Sequence, residues 1–131
     1  MTTPTSSSPQ PAQPLVVWWA LWAAFQIGIV FIYFKLGQSA SAPHSHEPSP
    51  WQLGLLPALI SGAIRWSIFP RIRNAQKALP LFIIGIALAE VSCFLGMFIF
   101  PSHKLPLFVA SLIGIFQFIP YYAGRLDSST E

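Results

Sequence analysis

Four long apolar runs alternate with short polar segments along the chain. The first run, residues 15–36, is interrupted only by Gln26 and Lys35, and the others cover about 51–69, 79–100 and 105–123. An α-helix of about 20 apolar residues crosses a hydrocarbon core of ~30 Å at ~1.5 Å per residue. The pattern predicts an all-α polytopic membrane protein with four transmembrane helices, numbered 1 to 4 in chain order.

The segments outside these runs are polar. After the start Met, residues 1–14 contain only Thr, Ser, Pro, Gln and Ala, a composition typical of a disordered tail. Residues 37–50 are rich in Ser and Pro and predict a loop, whereas the connector between helices 2 and 3 is short and basic. We therefore predict one transmembrane domain over residues 15–124, followed by a polar tail over residues 125–131.

A cleaved signal peptide is the rival interpretation of the first run. Ala40, Ser41 and Ala42 have the small-x-small form of a cleavage site. However, no basic residue precedes the run, and the run is longer than the apolar region of a signal peptide. These two departures favour a retained helix.

The composition agrees with a membrane location and argues against several classes of function. Charged residues make up 8% of the chain, against roughly 25% in soluble domains. The basic residues are scattered rather than clustered on one face, so the net charge of +3 does not indicate a nucleic-acid partner. The sequence has no Gly-rich phosphate loop, nucleophile elbow or paired carboxylates. We therefore expect neither an enzyme nor a cofactor.

The basic residues predict the orientation, because Lys and Arg accumulate on the cytoplasmic side of a membrane. On one side lie Arg71, Arg73, Lys77 and Arg125, and on the other lie Lys35 and Lys104. Both termini are therefore predicted to be cytoplasmic, and we expect the cell's inner membrane as the location.

Glu90 is the one acidic residue inside a predicted helix. It lies midway along predicted helix 3, close to the midplane of the membrane. A charged side chain there costs at least ~2.5–3.5 kcal/mol, so such residues are normally paired, neutral or functional. Two interpretations stay open. Glu90 is either the carboxyl of a proton or cation path, or it forms a structural hydrogen bond between helices.

Three further polar side chains lie inside predicted helices. Arg65, near the cytoplasmic end of helix 2, either extends to the headgroups or reaches Glu90. Gln26 and Gln117 lie at depths similar to that of Glu90, and one interpretation is a polar layer that binds an ion. Ordinary hydrogen bonds between helices are the structural alternative.

Small residues recur on helices 2, 3 and 4 at the spacing that brings helices into close contact. The predicted packing residues are Gly54, Ala58, Gly62, Gly85, Ala89, Gly96, Ala110 and Gly114.

Three histidines, His44, His46 and His103, fall on the predicted outer side. A His-x-His pair in a Ser- and Pro-rich loop lacks defined ligand geometry, so these are weak candidates and we expect no metal.

The run from Ile84 to Gly96 (IGIALAEVSCFLG) resembles the carboxylate-bearing helix of the proteolipid c subunit of rotary ATP synthases. The positions that match that family's pattern are Gly85, Ala87, Leu88, Glu90 and Gly96. The resemblance implies that Glu90 is an ion-carrying carboxylate. The chain differs from that family in having few glycines in helix 2 and in carrying its carboxylate outside the last helix.

These observations favour a small non-enzymatic membrane bundle that acts as a homo-oligomer or as an accessory subunit of a membrane complex. The expected partners are the lipid bilayer and other membrane subunits or further copies of the chain. The alternative function is a proton or cation translocator that uses Glu90, with Gln26, Gln117 and Arg65 as supporting candidates.

Overall fold

A computed structural model describes residues 14–39 and 49–126, with side chains up to residue 124. Within these ranges all regular structure is helical. The helices long and apolar enough to cross a membrane are helix 1 (Leu15–Leu36), helix 2 (Trp51–Arg71), helix 3 (Ala75–Phe98) and helix 4 (Pro101–Tyr122). This confirms the predicted all-α chain with four helices of the length and apolar composition needed to span a membrane. The predicted N-terminal tail, apart from Pro14, and most of the first loop lie outside the described residues.

Helix 2 is irregular along its length. It begins as a 3-10 helix (Trp51–Leu55), continues as an α-helix (Leu56–Ala63), widens into a π-helix (Ile64–Ile68) and ends in a 3-10 turn (Phe69–Arg71). A π segment within an α-helix is rare and is often found at functional sites.

Helix 3 begins at Ala75, before the predicted start near Leu79. Asn74 caps it, because its side chain accepts a hydrogen bond from the Gln76 N–H at 2.9 Å. Pro80 lies within the helix without ending it. As a result the centre of helix 3 lies near Ile86, and Glu90 lies about one turn from that centre toward the C-terminal end, rather than midway along the helix as the predicted bounds implied.

Helix 4 differs from the continuous helix predicted over residues 105–123. After the 3-10 turn Pro101–His103, its α-helix runs from Lys104 to Phe116, and a second 3-10 turn covers Pro120–Tyr122 before the short helix Ala123–Leu126. Pro120 has no N–H to donate to the Phe116 carbonyl, so the α-helical ladder cannot continue through it.

Consecutive helices are antiparallel. Trp18 and Trp19, at the start of helix 1, contact the rings of Tyr122 and Tyr121, at the end of helix 4. At the other end of the bundle Lys104 Nζ donates to the Gly37 carbonyl oxygen at 2.8 Å. We call these the terminal end and the loop end of the bundle.

An aromatic cluster contributed by all four helices packs the terminal end. Trp18 of helix 1 meets Phe82 of helix 3 at 5.0 Å between ring centroids. Phe69 of helix 2 meets Tyr122 of helix 4 at 4.6 Å, and Phe118 contacts both Phe69 and Phe82. Edge-on aromatic pairs contribute beyond their buried area, so this cluster fixes how the helices meet at the terminal end.

Two serines join helices 2 and 3 by hydrogen bonds. The Ser61 hydroxyl donates to the Gly85 carbonyl oxygen at 2.6 Å, and the Ser92 hydroxyl oxygen accepts from the Ala58 N–H at 3.1 Å. Both serines are fully buried. These bonds fix the rotation of helix 2 against helix 3.

Candidate functional site

Glu90 lies half-buried on helix 3. Within the described part of the chain its carboxyl group makes no hydrogen bond and no ion pair. A membrane carboxyl without a partner is the most unusual polar group in this bundle, since such groups are normally paired.

The position of Glu90 is at the edge of the buried face of helix 3. Its neighbour Ala89 is fully buried, whereas Val91 is 40% exposed. At ~100° per residue, Glu90 lies about 90° from the centre of the helix face that packs inside the bundle. The carboxyl group is therefore placed where a group from outside this chain can approach it.

Arg65 lies in the π segment of helix 2 and binds helix 4. Its Nε donates to the Gln117 carbonyl oxygen at 2.8 Å. Its guanidinium carbon lies 4.7 Å from the centroid of the Tyr122 ring, 5.5 Å from that of Trp66 and 5.6 Å from that of Phe69. Cation–π contacts of this kind stabilise a partly desolvated guanidinium.

The carbonyl that Arg65 uses is available because helix 4 breaks at Pro120. In an uninterrupted helix the Gln117 carbonyl would accept from the N–H of Tyr121, but that N–H bonds to Ile119 instead. Carbonyls left unpaired at membrane depth must find another donor. Arg65 supplies that donor.

The Gln117 side chain binds the residue next to Arg65. Its Oε1 accepts from Trp66 Nε1 at 3.0 Å, and the Trp66 ring is 70% exposed. Arg65 and Trp66, consecutive in the π segment, thus both hold Gln117. Arg65, Trp66, Gln117 and Tyr122 form what we call the arginine cluster.

The arginine cluster does not include Glu90. Within the described ranges no ion pair joins Arg65 to Glu90. The guanidinium lies beside Phe69 and Tyr122, so the side chain extends toward the terminal end, in the direction of the nearer headgroups. Sequence analysis left two interpretations of Arg65, extension to the headgroups or contact with Glu90. The observed direction of the side chain favours the first.

Gln26 is bonded to neither Glu90 nor the arginine cluster within the described residues. It is half-buried on helix 1, beside a surface groove formed with Phe31, Phe34 and Lys35 of the same helix. No hydrogen bond in the described part of the chain joins Gln26 to Gln117 or Glu90. The three side chains therefore form no hydrogen-bonded layer within the described residues.

Of the predicted packing residues, Gly54, Gly85, Ala89, Gly96 and Gly114 lie where helices meet. A Cβ built on Gly54 or Gly96 would lie within 3.0 Å of Leu107 side-chain atoms, and one built on Gly114 would lie 2.7 Å from the Ala89 Cβ. At Gly85 an added Cβ would overlap the Phe118 ring.

Between helices 2 and 4 an apolar groove of about 440 Å³ opens on the outside of the bundle. Its lining residues are Leu55, Ala58, Leu59, Gly62, Ala110, Ile113, Gly114 and Gln117. The groove exists because the small residues Ala58 and Gly62 of helix 2 face Ala110 and Gly114 of helix 4 without filling the space between them. Gln117 lines one end of the groove and also belongs to the arginine cluster. We call it the 2–4 groove.

The predicted histidines provide no metal centre within the described residues, where no group of three or more His, Cys, Asp or Glu side chains is suitably placed. His44 and His46 lie outside those residues. His103 stacks on Trp51 with ring centroids 4.7 Å apart, a contact that joins helices 2 and 4 at the loop end.

Sequence reasoning missed Trp22 and the roles of Trp66 and Tyr122. Trp22 Nε1 donates to the Ile115 carbonyl oxygen at 3.1 Å, a carbonyl that also accepts from the Phe118 N–H, so Trp22 joins helix 1 to the last turn of helix 4. Pro120 inside an apolar run was the available signal, because a proline there predicts unpaired carbonyls in the preceding turn.

Comparisons of the chain with protein-family models, with curated proteins and with solved structures found no match. The site must therefore be interpreted from its own chemistry.

Proposed function

We propose that the chain is a non-enzymatic subunit of a larger membrane assembly, formed either with further copies of itself or with another membrane protein. The observation that supports this proposal is Glu90, half-buried and without a partner within the described part of the chain. A carboxyl group facing lipid is costly. A polar group supplied by a neighbouring subunit would remove that cost.

The side of helix 3 around Glu90 suits such a contact. Ile83 and Val91 nearby are 37% and 40% exposed, so apolar surface surrounds the carboxyl group. Polar side chains between transmembrane helices typically stabilise association by about 0.6–2 kcal/mol, and apolar packing around them adds to this. The combination specifies one rotational setting of the partner helix.

The decisive experiment counts subunits and identifies copurifying proteins in lipid bilayers for the wild-type chain, Glu90→Leu and Glu90→Gln. We expect Glu90→Leu to weaken association by about threefold to thirtyfold, corresponding to the loss of one such hydrogen bond. Glu90→Gln should keep part of the association, since an amide still donates and accepts.

Gln26→Leu is the matched control, because Gln26 is also a half-buried polar side chain inside a helix. It should leave the assembly unchanged. A wild-type protein that stays monomeric and copurifies with nothing would refute the proposal, as would a Glu90→Leu variant that assembles like the wild type.

Proton or cation translocation through Glu90 is the second candidate, and the unpaired carboxyl is again the motivating observation. Because neither Gln26 nor Gln117 hydrogen-bonds to it within the described part of the chain, Glu90 would act with a partner's charge, as the likeness to the ATP synthase proteolipid implies. Vesicle flux assays on Glu90→Gln test this function. Flux equal to that of the wild type would rule it out.

A further inference from the structure

The arginine cluster and the 2–4 groove adjoin each other, and their chemistries are complementary to the two parts of one molecule. We propose that together they bind an anionic phospholipid from the leaflet at the terminal end, with its phosphate on Arg65 and the end of an acyl chain in the groove. This inference does not depend on the assembly proposed above.

The charge of Arg65 is the first argument. Glu90 is the only acidic residue in the described part of the chain, and no ion pair joins the two. Arg65 is half-buried, so its charge is partly removed from water without an acidic partner there. Electrostatic attraction to a bound anion would offset the free energy that this partial loss of hydration costs the guanidinium.

The orientation of the guanidinium is the second argument. Arg65 Nε donates to the Gln117 carbonyl oxygen, and the guanidinium group lies beside the rings of Tyr122 and Trp66. A guanidinium has five N–H donors, and four of these belong to the two terminal amino groups. Held in place by Nε, these groups are preorganised for the paired hydrogen bonds that Arg makes with phosphate oxygens.

The 2–4 groove is the third argument, because it supplies an apolar surface beside the cation. Leu59, Ile113 and Gly62 line it, and Gln117 belongs to both the groove and the arginine cluster. The groove lies near the middle of helices 2 and 4, where the acyl chains of a leaflet end. Trp66 contacts both parts of the site, because its Nε1 binds Gln117 at the end of the groove and its ring lies beside the Arg65 guanidinium. Its ring is 70% exposed, as is typical of an amphipathic residue at a membrane interface.

The surroundings favour an anionic lipid over a zwitterionic one. The exposed basic side chains Arg71, Arg73 and Lys77 lie at the same terminal end. Cationic residues near a membrane surface attract anionic lipids by about 1 kcal/mol each. They raise the local concentration of the ligand, whereas Arg65 and the groove hold it.

The test measures lipid binding to the purified full-length chain, using dioleoyl phosphatidylglycerol, dioleoyl phosphatidylcholine and inorganic phosphate as separate probes. We expect phosphatidylglycerol to bind most tightly. Arg65→Gln should weaken it by about tenfold to a hundredfold, because it removes charge-assisted hydrogen bonds. Arg65→Lys, which keeps the charge but not the planar fork, should give an intermediate loss.

Arg71→Gln is the matched control, since it removes the same charge at an exposed position of the same end. Its effect should be at most about fivefold and should disappear at ~1 M salt, where the Debye length is ~3 Å. The Arg65→Gln effect should persist at that salt concentration. Equal, salt-sensitive losses for the two variants would overturn the proposal in favour of non-specific attraction.

Gly62→Leu tests the groove, because a Cβ at Gly62 meets only ordinary contacts with Gln117 at 3.6 Å and a leucine would project into the 2–4 groove. It should weaken binding of the dioleoyl lipid but not of inorganic phosphate. If inorganic phosphate binds as tightly as the lipid and Gly62→Leu changes neither, the site binds free phosphate. If Gly62→Leu releases a copurified protein and leaves lipid binding unchanged, the groove binds a polypeptide. Both results would overturn the lipid assignment.

Discussion

An unpaired backbone carbonyl in helix 4 explains the position of Arg65. Helix 4 breaks before Pro120, and side chains from two other helices bind the carbonyls near the break: Trp22 binds that of Ile115 and Arg65 that of Gln117. In lipid there is no water to bind such groups, so an internal donor is required. The Ile115 carbonyl also accepts from the Phe118 N–H, whereas the Gln117 carbonyl depends on Arg65, so the break before Pro120 explains where the arginine binds.

Buried serines provide a test at this scale, because two fully buried ones, in helices 3 and 4, differ in whether the hydroxyl has a partner. Ser92 accepts from the Ala58 N–H, whereas the Ser111 hydroxyl has no partner within the described residues. We expect Ser92→Ala to lower the free energy of unfolding by about 0.6–2 kcal/mol. Ser111→Ala should be neutral or stabilising by up to about 1 kcal/mol, since it removes an unsatisfied buried hydroxyl.

Unfolding in mixed micelles by titration with a denaturing detergent measures both serine variants in one series. A Ser111→Ala variant as unstable as Ser92→Ala would contradict the assignment of an unsatisfied hydroxyl at Ser111.

At the scale of the helices, close contacts at small residues fix how helix 3 packs on helix 4. Gly114 faces Ala89 at a distance that leaves no room for a second methyl group, and Gly96 faces Leu107 in the same way. Helices without large side chains at the crossing approach closely. In lipid, where the hydrophobic effect does not drive helix association, the van der Waals contacts made by this close approach stabilise the helix pair.

Gly114→Ala is therefore expected to destabilise the bundle although alanine is the better helix former. The overpacking cost of about 1–3 kcal/mol exceeds the gain of about 1 kcal/mol in helix propensity. The measurement is the free energy of unfolding relative to the wild type.

Two comparisons make the glycine experiment specific. Gly28→Ala in helix 1 meets nothing within 4 Å and should be neutral or stabilising. Adding Ala89→Gly to Gly114→Ala moves the methyl group to the other helix and should restore part of the stability. A Gly114→Ala variant more stable than the wild type would show that the two helices can separate at no cost.

For the whole molecule, the antiparallel packing places Arg71, Arg73 and Lys77 at the end of the bundle where the described chain begins and ends. By the distribution of Lys and Arg across the membrane, we predict that this terminal end is cytoplasmic.

Cysteine labelling checks the orientation in a Cys93→Ala background. Gln38→Cys lies at the loop end and Gln76→Cys at the terminal end, and both positions are exposed. A membrane-impermeant maleimide should label Gln38→Cys in intact cells and Gln76→Cys only after permeabilisation. The reverse pattern would invert the topology, and the unmodified chain, whose Cys93 is buried, is the unlabelled control.

The sequence by itself determined the class of fold, because the length of an apolar run compared with bilayer thickness is a local property. It also indicated Glu90 and Arg65 as costly residues, since their depth within an apolar run can be read from the sequence. Only the tertiary structure decided their partners. Arg65 binds Gln117, whereas Glu90 lies at the edge of the buried face of helix 3 and makes no hydrogen bond or ion pair in the described part of the chain. Such pairings depend on how each helix is rotated about its axis, and that rotation is set by contacts between residues distant in sequence, such as Gly114 with Ala89.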